Sequence, residues 1–407
     1  MTATKPTHWL TLKRMRVHAI ILGACLWSIY FWTLYTPGLR DRSNNLKGTD
    51  FIHFYTLGTL ASEHRGEYLY DINAQAALIA QRVPQAAGLR YLPLYPPQVS
   101  LLFVPLSQLS YAHALAIWWC CSALIYGICC YTFWRYCPAL RTAGLTVALA
   151  ALAFPALFHL IAWGQTSALA LACFTLMFLF LKTDREFLAG VALGCLAFKP
   201  QLAIAAAILF LSIRAWKVVV AAAISAAAQF SIGIAFYGFN PFQNWIAIMR
   251  NSPTLLPWLE PRPYQTHCFR TFWSIIVPWS SLAAALYVVS GIVVMALTLS
   301  VWKRDVSLAL RYSALLLATV LVSPHLTVYD LVILAPAILL MADWLATHRS
   351  LPSGRWLAPA LYLTYVLPLL GPLARWTHIQ LSVIAMTALL YGIWRNSSSN
   401  PSFRTSA

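Results

Sequence analysis

Asp50, in the stretch GTDFIHFY (residues 48–55), puts a carboxylate beside His53 and the aromatic side chains of Phe51, Phe54 and Tyr55. Further along come the acidic pair Glu67 and Asp71 in GEYLYD, Gln165 in WGQTS, Lys199 in FKPQ, Arg270 in HCFRTFW and His325 in SPHLTVYD. A carboxylate near a surface can take a proton as a general base. Lysine, arginine and histidine hold anionic oxygens, phosphate among them, through charge-assisted hydrogen bonds. These residue types suit a reaction in which a hydroxyl loses its proton and an anionic group departs. Each also has a structural reading. Asp is a favoured helix N-cap, which fits Asp50 ahead of Phe51 and Asp71 ahead of Ile72. Gln165 can satisfy a helix start in a tight hairpin, His325 a polar turn, and Arg270 can anchor on a lipid phosphate. Lys199 is harder to explain structurally: it can snorkel outward, but a neutral residue in an apolar run would cost less.

The elements that must position these groups are membrane helices. The chain has 407 residues, 60% of them hydrophobic and 10% charged. A globular domain carries about 25% charged residues. Apolar runs near the ~20 residues of a membrane span recur from end to end. The net charge of +17 comes from basic residues that punctuate these runs, which orients them in a bilayer. No basic stripe interleaved with aromatics is present, which excludes nucleic acid as a partner. The nine cysteines give no CxxC spacing and lie mostly inside apolar runs, so neither a disulfide framework nor a zinc site is expected.

Lys5, Lys13, Arg14 and Arg16 precede the first apolar run, which predicts a cytoplasmic N-terminus. That run is too long for a signal-peptide core and reads as a retained first span, 17–36. Residues 37–111 then form an outer loop with Asp41, Asp50, Glu63, Glu67 and Asp71. Within it Phe51, Phe54, Tyr55 and Gly58 fall at i, i+3, i+4, i+7, which predicts an amphipathic helix lying in the interface. The stretch QVSLLFVPLSQLS carries Pro105 and is too short to cross, which predicts a second interfacial helix. Together the two would form a shelf for an amphipathic substrate. Spans 2 to 7 follow over 112–237, a second outer segment over 238–281, spans 8 to 12 over 282–394, and a polar cytoplasmic tail over 395–407. Residues 187–213 read either as one long helix with Lys199 in its middle or as a hairpin of two short ones. Pro200, with Arg185 and Arg214 at the two ends, favours the hairpin. The hairpin also places Lys217, Lys303, Arg304, Arg349, Arg355, Arg395 and Arg404 on the cytoplasmic side. The expected whole is a single integral membrane domain, 1–407, all-α and polytopic, with about twelve transmembrane helices.

In order along the chain, GTDFIHFYTLGTLASEHRGEYLYD, YLPLYPPQVSLLFVPLSQLS, WGQTSALALACFTL, LAFKPQ and SPHLTVYD resemble successive blocks of glycosyltransferase family 87. The resemblance implies a GT-C glycosyltransferase fold. It implies transfer of a hexose, mannose by family habit (α-1,2-mannosyltransferase-like), from a polyprenyl-phosphate-linked donor to a glycolipid or glycan acceptor. Reaction on the outer face of the cell (inner) membrane, with inversion, follows from it. The family's catalytic carboxylate maps onto Asp50, and its donor-phosphate positions map onto Lys199 and His325, with Arg270 beside them. His53, Tyr55, Glu67, Asp71 and Gln165 are the expected substrate contacts. YQTHCFRTF stands where relatives carry acidic-asparagine sequences, which leaves acceptor choice open. No DxD-type pair is present and the donor already carries its leaving group, so no cofactor, nucleotide sugar or required metal is expected. The expected partners are the lipid-linked sugar, the acceptor and membrane lipids. A lipid-linked-sugar transporter or flippase is the alternative, because broken helices with a charge at midspan also mark transport sites. Against it stand the lack of an inverted repeat and the crowding of polar segments on one face.

Overall fold

The computed structural model describes residues 11–251, 254–348 and 354–398. Lys5, Arg349, Arg404 and the end of the polar tail lie outside them. Among the described residues the regular structure is helical, apart from an isolated bridge between Arg40 and Leu46. In chain order the α-helices are α1 (Leu12–Leu34), α2 (Phe51–Ser62), α3 (Ile72–Arg82), α4 (Val99–Leu102), α5 (Val104–Ser107), α6 (Tyr111–Arg135), α7 (Gly144–Leu152), α8 (Pro155–Trp163) and α9 (Ser167–Lys182). They continue with α10 (Glu186–Gly194), α11 (Ile204–Ser212), α12 (Trp216–Tyr237), α13 (Asn240–Asn251), α14 (Leu256–Leu259), α15 (Phe269–Ile276), α16 (Ser280–Trp302) and α17 (Leu308–Val322). Last come α18 (Ala335–Thr347), α19 (Gly354–Val366), α20 (Ala374–Thr377) and α21 (Leu381–Ser398). Among the described residues, six helical stretches are long and apolar enough to cross a membrane: α1, α6, α12, α16, Val328–Thr347 and Trp356–Thr377. The chain is therefore a multi-pass membrane protein. Several expected spans are shorter than a full crossing in helical form, including α9 and α17.

Among the expected spans 2 to 7, the apolar run 142–161 reads as one helix, the third span. It is instead a bent pair, with α8 turned 46° from the segment that ends in α7. The break falls just ahead of Pro155, whose ring disfavours helical backbone in the preceding residue.

The chain divides into two compact units. One comprises Tyr30–Tyr126 and His159–Thr266. Its centre is α2, and here the sequence expectation of an amphipathic interfacial helix is corrected. Phe51 through Ala61 are all buried. Phe51 stacks on Trp118 and Phe54 on Phe103, with Tyr111 packed against both Phe51 and Tyr55. The helix can be buried all round because its hydroxyls bond within the helix: Thr56 donates to the Ile52 carbonyl and Thr59 to that of Tyr55. The second expected interfacial helix is also different. It is two single turns, α4 and α5, parted at Phe103 ahead of Pro105.

The 187–213 segment is a hairpin. Glu186 at the start of α10 pairs with Lys217 at the start of α12, 3.8 Å apart. Further along, Gly190 lies on Val218 and Gly194 on Ala222, so close that a Cβ at either would come within 2.3 Å of a carbonyl oxygen of α12. Gln229 donates to the Gly194 carbonyl. Thus α10 runs parallel to α12. A short link, 213–215, joins the end of α11 to the start of α12, so α11 returns to the end where α10 began. Lys199 and Pro200 form the tip.

The other unit comprises Met1–Ile29, Gly127–Phe158 and His267–Ala407. Its core is α17, buried on nearly every residue, with α16, α18 and α21 around it. Arg304 ties the end of α16 to the Trp394 carbonyl of α21 at 2.6 Å, and Asp343 of α18 accepts from the Ala139 amide at 2.7 Å.

Candidate functional site

Asp50 sits in the N-cap position of α2, yet its side chain makes no capping hydrogen bond. The backbone does the positioning instead. The Asp50 amide donates to the Trp163 carbonyl at 2.9 Å, and the hydroxyl of Tyr91 donates to the Thr49 carbonyl. The carboxylate is thereby left for the side chain of Gln165, whose Nε2 donates to Oδ2 at 2.6 Å. Gln165 Oε1 in turn accepts from the Tyr95 hydroxyl at 3.3 Å. This junction needs a glycine at 164. Gly164 has φ +69°, which L side chains rarely adopt, and a Cβ there would come within 2.7 Å of Phe51 Cβ. Its carbonyl is held by the indole of Trp118 at 3.0 Å.

Lys199, at the hairpin tip, is buried. Its Nζ donates to Ser167 Oγ at 3.0 Å, at the start of α9 and close in sequence to Gln165. Burial pushes the Asp50 carboxyl up to about 6, while the Gln165 hydrogen bond and the Lys199 charge pull it down. Packing therefore dominates its titration, although Asp50 keeps part of its surface open to solvent. An acid poised there can hold or release a proton near neutral pH. Burial, with the Asp50 charge adding to it, pushes the Tyr91 phenol well up, so Tyr91 is a hydrogen-bond donor and not a competing base.

The other residues expected in the site divide into three groups. His53 lies on the Asp50 face of α2, buried, with its ring 5.5 Å from that of Tyr91 and 6.2 Å from that of Tyr95. Tyr55, Glu67 and Asp71 are not brought to the carboxylate. The Tyr55 hydroxyl donates to the Leu109 carbonyl at 2.8 Å, and the side chain lines a separate cavity of about 450 Å³ with Arg82 and Gln108. Asp71 caps α3, accepting from the amides of Asn73 and Ala74 at 2.9 and 3.0 Å. Glu67 is exposed on the turn Gly66–Tyr68. Arg270 and His325 belong to the other unit, where they are neighbours. Arg270 donates through Nε to the carbonyl of Pro324, the residue before His325. The His325 carbonyl accepts from Ser323 at 2.8 Å, and its Nε2 lies 3.5 Å from Thr327 Oγ1. Nearby, Thr327 and Asp330 form a capping box.

Tyr91, Tyr95 and Ser167 were missed by the sequence reading. The one signal for the tyrosines was their place in YLPLYPP, where Pro96 biases Tyr95 away from helical backbone.

The sequence profile of glycosyltransferase family 87 matches residues 94–324, more than half of the chain. The chain belongs to that family. It is accordingly a membrane glycosyltransferase, and a sugar donor and an acceptor are its substrates. The family 87 match takes in Gln165, Lys199 and Arg270. It begins after Asp50 and stops just before His325, so those two stand on the geometry above and on the resemblance of their motifs. No curated relative and no solved structure matches the chain.

The hydrogen bond from Gln165 has a measurable consequence. It favours the ionised carboxylate, so its loss raises the carboxyl pKa. In wild type the acidic limb of kcat/KM is expected near pH 6. In Gln165→Leu the limb should move to higher pH, with the plateau less affected. A limb that does not move would detach Gln165 from the titrating group.

Proposed function

We propose that this family 87 enzyme transfers a hexose, mannose by preference, from a polyprenyl-phosphate-linked donor to a hydroxyl of a glycolipid or glycan acceptor, with inversion, at the outer face of the cell membrane. About twelve crossings in a GT-C arrangement are part of this reading, with the short apolar helices adding to the six long ones. The observation that carries it is the Asp50 carboxylate: it does not cap its helix, it is oriented by Gln165, and a buried lysine acts on it.

In this reading Asp50 takes the proton of the acceptor hydroxyl as that oxygen attacks the anomeric carbon. The bond from the anomeric carbon to the phosphate oxygen breaks, and polyprenyl phosphate leaves with the electron pair from the opposite face. Lys199 stabilises the charge that grows on the departing oxygen, a role in which one preorganised cation or donor contributes about 10²–10³ in rate. Arg270 and His325 are proposed as further phosphate ligands on the resemblance alone. Family membership favours transfer over transport, and one assay separates them. In sealed vesicles carrying radiolabelled polyprenyl-phosphate mannose and n-octyl α-mannoside, label is expected in a new disaccharide. Label that changes leaflet without forming a new glycosidic bond would overturn the proposal.

A further inference from the structure

Two outer-segment motifs supply no group to the carboxylate. One is GEYLYD, residues 66–71, whose acids Glu67 and Asp71 lie away from Asp50. The other is FNPFQNW, residues 239–245, which opens α13. Both converge on YLPLYPP, residues 91–97. Pro93, Pro96 and Pro97 take three N–H donors out of that segment, and it forms no helix or strand of its own. Side chains from outside hold its carbonyls instead. The Tyr70 hydroxyl, from GEYLYD, donates to the Tyr95 carbonyl at 2.9 Å. The Trp245 indole, from FNPFQNW, donates to the Leu94 carbonyl at 3.0 Å. Trp245 is buried, with Phe230 of α12 and Phe242 of α13 packed against its ring.

What these contacts hold in place is the Tyr95 hydroxyl. It donates to Gln165 Oε1 and lies beside Thr166 Oγ1, both at 3.3 Å. The Thr166 amide also donates to Gln165 Oε1, at 3.4 Å. A glutamine amide can present either its oxygen or its NH2 to a neighbour. Two donors on Oε1 leave Nε2 for Asp50, whose Oδ2 is 2.6 Å away. The reverse orientation would set the amide oxygen against the carboxylate and the NH2 against the Thr166 N–H. We propose that Tyr70 and Trp245 are positioning residues for sugar transfer: by holding two consecutive carbonyls they aim the Tyr95 hydroxyl, which decides which end of the Gln165 amide faces Asp50. This rests on the transferase reading above and gives the two outer-segment motifs their place in it. The other titratable or charged groups around the Asp50 carboxyl are Lys199 from the hairpin tip, Tyr91 from YLPLYPP, Tyr111 from α6 and His53 from α2. Tyr91 shares the segment that Tyr70 and Trp245 hold, so its effect must be separated from that of Gln165.

The test is a mutant cycle read on the pH profile. Tyr70→Phe and Trp245→Phe each remove one donor and keep an aromatic ring. Both are purified in detergent, and kcat/KM is followed against pH with polyprenyl-phosphate mannose and n-octyl α-mannoside. The acidic limb should move to higher pH by about half a unit in each, the equivalent of part of one hydrogen bond. Tyr95→Phe acts on the amide directly and should move it further, by about one unit. In a Gln165→Leu background, where the limb is already displaced, neither Tyr70→Phe nor Trp245→Phe should move it again. Limbs that stay at the wild-type pH in both variants would overturn the proposal and leave Tyr70 and Trp245 as supports of the fold. Limbs that move just as far in Gln165→Leu would also overturn it, because the effect would then run through Tyr91. Tyr70→Phe loses a single oxygen atom, so it decides the matter if Trp245→Phe does not fold. Both overturning results leave the transferase reading intact. Wild type that forms no glycosidic bond would remove the reading and the proposal together.

Discussion

Asp50→Asn is expected to lower kcat by about 10²–10⁴-fold, the range that loss of a positioned general base produces. The substitution keeps the shape of the side chain and an oxygen for the Gln165 amide, so substrate binding should survive. Stability gives an independent check with a definite sign. Burial raises the Asp50 carboxyl to about 6, above its ordinary value, so the folded protein holds that proton more tightly than the unfolded chain does. Its contribution to stability is present at low pH and is lost as pH climbs through about 6. Asparagine never ionises. At neutral pH the variant should therefore melt at the same temperature as wild type or higher, while being nearly inactive. Thermal melts in detergent and single-turnover transfer from a radiolabelled lipid donor measure the two effects. Full turnover by the variant would remove Asp50 from the chemistry, and a collapsed melting temperature would show that its role is structural.

Lys199→Met should cost about 10²–10³ in kcat. The ammonium is buried and donates to Ser167, so methionine removes charge and hydrogen bond while filling similar space. A second consequence runs through Asp50. The Lys199 charge lowers the carboxyl pKa, so its loss should carry the acidic limb of the pH profile upward, in the same direction as Gln165→Leu. A lysine that served only the leaving phosphate would lower the plateau and leave the limb in place. Lys199→Arg keeps the charge and should preserve the limb while losing rate, because the planar guanidinium does not fit where a compact ammonium sat. Wild-type kcat in Lys199→Met would exclude the lysine from the reaction.

Much of this arrangement could be read before the fold was seen, for physical reasons. Proline declares itself: the break beside Pro200 was visible because a proline ring cannot continue a helix interior, and basic residues at both ends of the segment favoured two short helices over one. The helix over 51–62 was visible in its spacing, and the cap at Asp71 in its residue type. What could not be read was pairing across long separations. The 3.6 period showed one apolar face of α2 but not that Phe103, Tyr111 and Trp118 would cover the rest of it. Gln165 stood out in its motif, yet nothing local said that its amide would turn to Asp50, or that a tyrosine ahead of two prolines would steady its other end. The bend between α7 and α8 has its local cause in Pro155, but the apolar run continues through it, so hydropathy alone reads a single span there.

The glycine spacing in α10 sets how far Lys199 reaches. Gly190 and Gly194 let two backbones touch along α12, in the small-residue pattern that draws membrane helices together. The position of the Lys199 tip is thus gauged by main chain against main chain. Bulk added at either notch would push α10 off α12 and shift the tip that carries Lys199, so residues with no polar group of their own are expected to matter to the role proposed for that lysine.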